Sequence, residues 1–212
     1  MDLETIKTIL REKKPKPLEI NRYFAVLLPL IEREGELHIL FEVRSKTIPT
    51  QPGEISFPGG GVEVDEDFRQ AALRETYEEI GVPSEKIELL GELDYIIRDS
   101  NFSVYPYVGL LHTGLDSLAI NRDEVEEVFT VPVSYFMENS PDIYKVSYSP
   151  NLNIEFPFDK IPNGRNYKWR PFSQPVLFYE YREYIIWGLT ARITRSLTEE
   201  LKEWEYGCGS SR

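Results

Sequence analysis

The chain has 212 residues, 41% of them hydrophobic and 28% charged, a balance that excludes a disordered tail, a collagen-like repeat and a coiled coil. A chain of this length buries enough surface to fold without disulfides or a structural metal. Lysine and arginine number 24 against 36 aspartates and glutamates, a net charge of −12, so neither nucleic acid nor an anionic membrane is expected as a partner.

In chain order, Leu3, Ile6, Ile9 and Leu10 recur at helical spacing and predict a short amphipathic helix over residues 2–13. Lys13-Lys-Pro-Lys-Pro then breaks it and reads as a solvated linker. Arg22–Ile31 and Leu37–Val43 read as strands joined by a Glu32-Arg-Glu-Gly-Glu turn, and Ile87–Ile97 and Val104–Leu111 as strands around a hairpin turn at Asp99-Ser-Asn. The acidic cluster at Glu124, Glu126 and Glu127 reads as a turn before a helix, with Glu124 and Glu127 on one helical face. From Glu138 to Pro175 the prolines 141, 150, 157, 162 and 171 predict an irregular insertion (138–175) packed on the core. Val176–Tyr179 and Tyr184–Trp187 read as two more strands. Thr190–Trp204 reads as a closing helix, with Ile193, Leu197 and Leu201 on one face and Gly207 beyond its end. Residues 1–212 are therefore expected to form a single α/β layered domain. The single cysteine, Cys208, suits a reducing, cytoplasmic setting. Asp2-Leu-Glu-Thr is unlike a signal peptide, and no apolar run approaches the ~18–20 residues of a membrane span. Two histidines, His38 and His112, are too few for a histidine-rich metal site and read as structural.

One segment stands apart. Pro58 and Gly59, Gly60 and Gly61 make a tight loop, and the following residues form good helix from Glu66 or Asp67 until Gly81, which has the look of a C-cap. At about 100° per residue, Glu75, Glu78 and Glu79 gather on one face, with Ala71 beside them. Leu73, Thr76, Tyr77 and Ile80 point the other way and are expected to pack. Like charges at such spacing weaken a helix by roughly 0.2–0.5 kcal/mol per pair, so the trio calls for a partner. A hard divalent cation with oxygen ligands, Mg²⁺ or Mn²⁺, is the natural one. Arg74, four residues before Glu78 and eight after Glu66, can neutralise and orient neighbouring carboxylates. A solvated acidic face is the usual fate of such a run; the glycine loop in front and the Arg–Glu spacing argue against it here.

Gly60, five residues, Glu66, seven residues, then Arg74-Glu-Thr-Tyr-Glu-Glu-Ile-Gly-Val82 resembles the Nudix box, GX5EX7REUXEEXGU with U bulky and apolar. Every fixed position is filled; Thr76 departs from the pattern at the first U. The resemblance implies a Nudix fold, a mixed β-sheet sandwiched between α-helices (α/β/α), here with N- and C-terminal helices. It also implies hydrolysis of a diphosphate linked to another group. Leu40-Phe-Glu-Val-Arg-Ser and Gln51-Pro-Gly-Glu-Ile-Ser-Phe-Pro-Gly-Gly resemble the motif upstream of the box in the coenzyme A pyrophosphatase branch. Asn101-Phe-Ser-Val-Tyr-Pro-Tyr-Val-Gly, Asn121-Arg-Asp-Glu-Val-Glu-Glu-Val-Phe and Ile186-Trp-Gly-Leu-Thr-Ala-Arg-Ile look like that branch too. Ile48-Pro49 depart from it, standing where a leucine and a basic residue are favoured.

The resemblance implies Glu75 and Glu79 as metal ligands, with the Gly59 carbonyl and Glu78 as further ligands, and a base from outside the box. Glu124 is the first candidate for that base, with Glu126 and Glu127 behind it, and Glu78 and Arg74 complete the expected catalytic set. Arg44, Ser45 and Lys46, in the upstream motif, are the expected substrate contacts, with Arg98 a further cation. Phe57, Tyr95, Tyr105 and Tyr107 could stack on an adenine, although strand aromatics are more often core. The expected substrate is coenzyme A or a thioester of it. ADP-ribose, NADH or a dinucleoside polyphosphate is the alternative, and a non-catalytic nucleotide-binding module a third reading. A homodimer through a strand edge or the insertion is one open arrangement.

Overall fold

The computed structural model describes residues 2–14, 16–98, 101–153 and 155–207. In chain order the elements are α1 (Leu3–Glu12), β1 (Arg22–Arg33), β2 (Glu36–Arg44), β3 (Ile55–Ser56), β4 (Gly59–Gly61), α2 (Phe68–Ile80), β5 (Ile87–Glu92), β6 (Ile96–Arg98) and β7 (Phe102–Leu111). They continue with β8 (Val125–Pro132), α3 (Val133–Glu138), β9 (Asp142–Tyr148), β10 (Phe172–Tyr181), β11 (Tyr184–Trp187) and α4 (Gly188–Gly207). The first eight strands form one mixed sheet in which β1 runs parallel to β7 and antiparallel to β2; β9, β10 and β11 form a second, antiparallel sheet.

Consecutive apolar residues make β1 a strand buried on both faces. Ala25, Leu27 and Ile31 pack with Leu40, Tyr107 and Leu111 and with Ala71, Ala72 and Ile80 of α2. Leu28 and Leu30 point the other way, into a cluster with Phe41, Val104, Phe136 of α3, Leu177, Tyr179 and Ile186 of the small sheet, and Ile193 and Leu197 of α4. The large sheet is therefore sandwiched, as expected, with α2 on one face and α3, α4 and the small sheet on the other.

The edge of β1 that faces β2 is divided. Residues 30–33 pair with β2, whereas residues 24–26 pair with the glycines of β4. Pro29, which has no N–H to give to a ladder, falls in the gap between the two pairings. Across that gap β3 pairs with Glu42 and Val43 of β2. The segment from Ile55 to Gly61 thus fills a split in the sheet. Only glycine fits at its closest approach: a Cβ on Gly59 would stand 2.5 Å from the Ala25 carbonyl oxygen and 2.6 Å from Val26 Cα.

Several expectations are corrected. The insertion is not irregular throughout, because its residues 142–148 form β9 and pair with β10, which begins at Phe172. Nor does β9 pack on the core; every one of its residues is exposed. Residues 125–132 form a strand rather than a helix, so Glu124 and Glu127 share no helical face. Helix α4 runs from Gly188 and includes Gly207. On α2, Tyr77 is 59% exposed, while Ala71, assigned to the acidic side, is wholly buried. Thr76 is also wholly buried, and its hydroxyl donates to the Ala72 carbonyl at 2.7 Å, which satisfies a polar group at an otherwise apolar position. The turn expected at Asp99-Ser-Asn falls largely on residues outside the described ones, as does Cys208; the register of β6 with β7, Arg98 opposite Phe102, agrees with a hairpin.

Phe136 is fully buried, with its ring 6.0 Å from that of Phe41 in the large sheet and 5.0 Å from that of Tyr179 in the small one. Phe136→Ala is expected to cost about 3–5 kcal/mol in urea denaturation. Far-UV circular dichroism and tryptophan fluorescence should keep one shared midpoint; separated midpoints would show the small sheet unfolding on its own.

Candidate active site

Helix α2 is fixed at both ends by local chemistry. Asp67 and Gln70 form a reciprocal capping box, and Gly81 ends the helix at φ 71°, donating its N–H to the Tyr77 carbonyl. Between these caps Arg74 acts as a hub. Its Nε and Nη2 reach both oxygens of Glu66 at 2.9 and 3.1 Å, and Nη1 reaches Glu75 at 2.8 Å and Glu78 at 3.0 Å. Nη2 also donates to the Gly61 carbonyl at 3.0 Å, which ties the helix to the glycine strand. These hydrogen bonds hold the Glu66 carboxyl below its usual range and push the Arg74 guanidinium up.

The three carboxylates of the helix are not equivalent. Glu78 is half-exposed on the solvent side. Glu79 is only 3% exposed, and its Oε2 accepts the Gly59 N–H at 2.8 Å. Glu75 lies so close to Gly60 that a Cβ there would collide with its carboxyl group. A fourth carboxylate, unforeseen from the sequence, joins them. Glu42 of β2 is wholly buried; Ser56 donates to its Oε1 at 2.8 Å, and its Oε2 is buried with no hydrogen-bond partner. Burial first, then the charge of Glu42, pushes the Glu79 carboxyl up; burial also raises Glu42 and Glu75.

Ser56, Gly59 and Gly60 also line a cavity of about 700 Å³, the scale of a nucleotide-sized ligand. Its other walls are Phe24, Val26, Phe102 and Val104 of the large sheet, Phe57 between β3 and β4, Val176 and Trp187 of the small sheet, and the start of α4. Three wall residues therefore each touch a carboxylate behind them: Ser56 touches Glu42, Gly59 touches Glu79, and Gly60 touches Glu75. The donor set is all carboxylate oxygen, and the unpartnered Glu42 Oε2 fits a hard cation. Among the described residues no three such groups converge on one point as they stand, because Arg74 holds Glu75 and Glu78 and the Gly59 N–H holds Glu79.

Of the expected substrate contacts, Arg44 lines the cavity, and its charge is felt at both Glu42 and Glu79. Ser45 does not reach it: the side chain is buried and its hydroxyl pairs with that of Thr47 at 2.9 Å. Lys46 is exposed and is not part of the cavity wall. β2 ends at Arg44, and Lys46 lies in the turn beyond it, so the first cation is held at the cavity wall and the next is left outside. Glu124 sits on a loop pinned at both ends, by Asn121 N–H to the Glu79 carbonyl at 2.9 Å and by Ser45 N–H to its own carbonyl at 2.7 Å. Its charge acts on Glu42 and Glu75. Glu127, by contrast, accepts from the Tyr184 hydroxyl at 3.4 Å, and Glu126 is exposed on β8. Phe57 and Tyr107 are core, and Tyr105 is stacked between Phe68 and Tyr95, at 3.8 and 5.2 Å. His112 is exposed beside Glu88 at 3.2 Å rather than set in apolar surroundings.

The NUDIX domain family matches residues 21–148, more than half of the chain. The uncharacterised Nudix hydrolase NudL of Photorhabdus laumondii is 34% identical over 190 residues, covering 89% of this chain and 90% of that protein. The mouse peroxisomal coenzyme A diphosphatase NUDT7 is 41% identical over 122 residues, which span 57% of this chain and 50% of the mouse protein. A MutT/nudix family protein from Enterococcus faecalis shares the fold, with a TM-score of 0.53 over 97% of this chain and 71% of that one at 16% identity. The chain belongs to the Nudix hydrolase family, enzymes that hydrolyse a diphosphate bond and generally use divalent metal ions.

Glu42 and Glu79 bind a proton more tightly folded than unfolded. Their contribution to stability is therefore fully present below the ordinary value near 4.5 and is lost as pH rises through about 7 and about 9. In chelator, the thermal midpoint is expected to fall between pH 5 and 9, and Glu79→Gln, which keeps an acceptor for the Gly59 N–H, should flatten the fall. A midpoint that rises over this range would contradict the burial of the two carboxyl groups.

Proposed function

We propose that this Nudix hydrolase cleaves the diphosphate of coenzyme A or its derivatives, with Mg²⁺ or Mn²⁺, to adenosine 3′,5′-bisphosphate and a 4′-phosphopantetheine species. The observation that carries the reading is the cavity wall at Ser56, Gly59 and Gly60, which has a carboxylate behind each residue and Arg44 beside it. The name of the mouse relative and the flanking motifs support the choice of substrate.

On this reading Glu75 and Glu79 hold the metal, with the free oxygen of Glu42, the Gly59 carbonyl and the outer Glu78 completing the set. A divalent ion held there would screen the phosphate charge and make water easier to deprotonate. Arg44 sits beside Glu42 and Glu79 and orients the anionic diphosphate without quenching the carboxylates. Glu124, held by its loop at the edge of the acidic group, takes the proton of the attacking water. Water adds to one phosphorus, the bridging P–O bond breaks, and the departing phosphate carries the electron pair. Arg74 positions Glu75 and Glu78.

The test is a panel of coenzyme A, acetyl-coenzyme A, ADP-ribose and NADH, each with Mg²⁺, Mn²⁺ or chelator, read by product mass. Metal-dependent release of adenosine 3′,5′-bisphosphate is expected; turnover of ADP-ribose or NADH alone would overturn the substrate and keep the chemistry. Glu79→Gln should lower kcat by more than about 100-fold, beyond what loss of an outer-shell partner costs. Glu124→Gln should lower kcat and remove the acidic limb of its pH profile.

A further inference from the structure

The cavity has two ends of different character. At one end are the glycine wall, Ser56 and Arg44; at the other are Arg22 and Arg98, and Arg192 lines the cavity within reach of the charge of Arg98. Register explains how two of these meet. Arg22 of β1 and Arg98 of β6 both pair with Phe102 of β7, so they flank one residue from either side. The Arg22 guanidinium lies over the rings of Phe24 and Phe102, at 5.4 and 5.8 Å. Arg192 enters from the first turns of α4, half-buried, and makes no salt bridge or side-chain hydrogen bond with the described residues. Burial and the nearby charge of Arg98 push its guanidinium down, a sign that the two cations feel each other.

The lining holds four arginines, Arg22, Arg44, Arg98 and Arg192, and one carboxylate, Glu54, within a chain whose net charge is −12; Arg192 has no counter-ion among the described residues. Half-buried Arg192 does not shed its proton to relieve the repulsion from Arg98, so an anion beside it would be stabilised. The diphosphate cannot be the anion at both ends. Val26 pairs with Gly59, and the four residue steps from Arg22 to Val26 span about 13 Å of strand, the length of a nucleotide rather than of one phosphate.

We propose that Arg98 and Arg192 form a second anion subsite, which takes a phosphomonoester carried by the substrate outside its diphosphate. Resting on the coenzyme A reading above, that group is the 3′-phosphate of the adenosine ribose. A phosphomonoester carries about −1.5 to −2 charges at pH 7 and three acceptor oxygens, enough to accept from both guanidiniums at once. The subsite sorts substrates by a group that takes no part in the bond cleavage.

The experiment compares binding of adenosine 3′,5′-bisphosphate and 5′-AMP by calorimetry, in chelator, for the full chain and for Arg192→Gln, Arg98→Gln and Arg192→Lys. The unaltered protein is expected to prefer the bisphosphate by about tenfold or more. Either glutamine variant should bring that ratio close to one, while Arg192→Lys, which keeps the charge and serves as the folding control alongside near-UV circular dichroism, should retain part of it. Equal affinities in the unaltered protein, or a ratio untouched by both glutamine variants, would overturn the subsite. Hydrolysis of coenzyme A against dephospho-coenzyme A separates the two readings. If neither is cleaved the substrate assignment fails, while the bisphosphate-to-AMP ratio still decides the subsite.

Discussion

The Glu79 carboxylate is buried where α2 meets the glycine strand, and the Gly59 N–H is the donor it finds there. An ionisable group out of water is costly unless it is hydrogen-bonded or neutralised, so the pairing constrains everything around it. The donor can come this close only because the backbone at Gly59 touches β1 without a Cβ. The glycine strand can lie against β1 only because β2 parts from β1 beyond Pro29. Strand split, glycine run and buried acid form one dependency, which aims the acidic face of α2 at a gap in the sheet.

That gap keeps two opposite fields close without letting them cancel. The carboxylates stand on the α2 side, the arginines line the cavity under α4, and the partition between them is little more than backbone. Had the partition carried large side chains, the diphosphate and the carboxylates would be held apart. Had it been absent, Arg44 would pair with Glu42 or Glu79 and leave neither available. The net charge of the whole chain says little about such a site, because local placement outweighs the sum at these distances.

What was legible in the sequence was local. The Arg74–Glu78 pair follows from i, i+4 geometry, and it, the Arg74–Glu66 pair and the C-cap at Gly81 stand in the structure as expected; the capping box of Asp67 and Gln70 and the Arg74–Glu75 pair were not foreseen. What depends on register was not. Glu42 sits in a strand whose neighbours Leu40 and Phe41 are buried on opposite faces, so alternation could not show that its side chain meets Glu79. A carboxylate inside an otherwise apolar strand was the one available signal. Ser45 and Lys46 share a motif with Arg44, yet they lie beyond the end of β2, where Ser45 turns to Thr47 and Lys46 to solvent. Arg22 and Arg192 are about 170 residues apart in sequence and become neighbours of one cavity only through tertiary packing. The prolines that marked residues 138–175 as irregular concealed β9, because the partner that pairs with it begins 24 residues after it ends.

Arg74 has a consequence for the order in which the protein comes into being. Small zinc domains gather their ligands only when the ion arrives, so folding and metal uptake are one event. Here a side chain of the same helix already serves as counter-ion to Glu66, Glu75 and Glu78. The helix is therefore neutralised in part from within, whatever the ionic composition of its surroundings, and on the proposed reading loading would be an exchange of partners at Glu75.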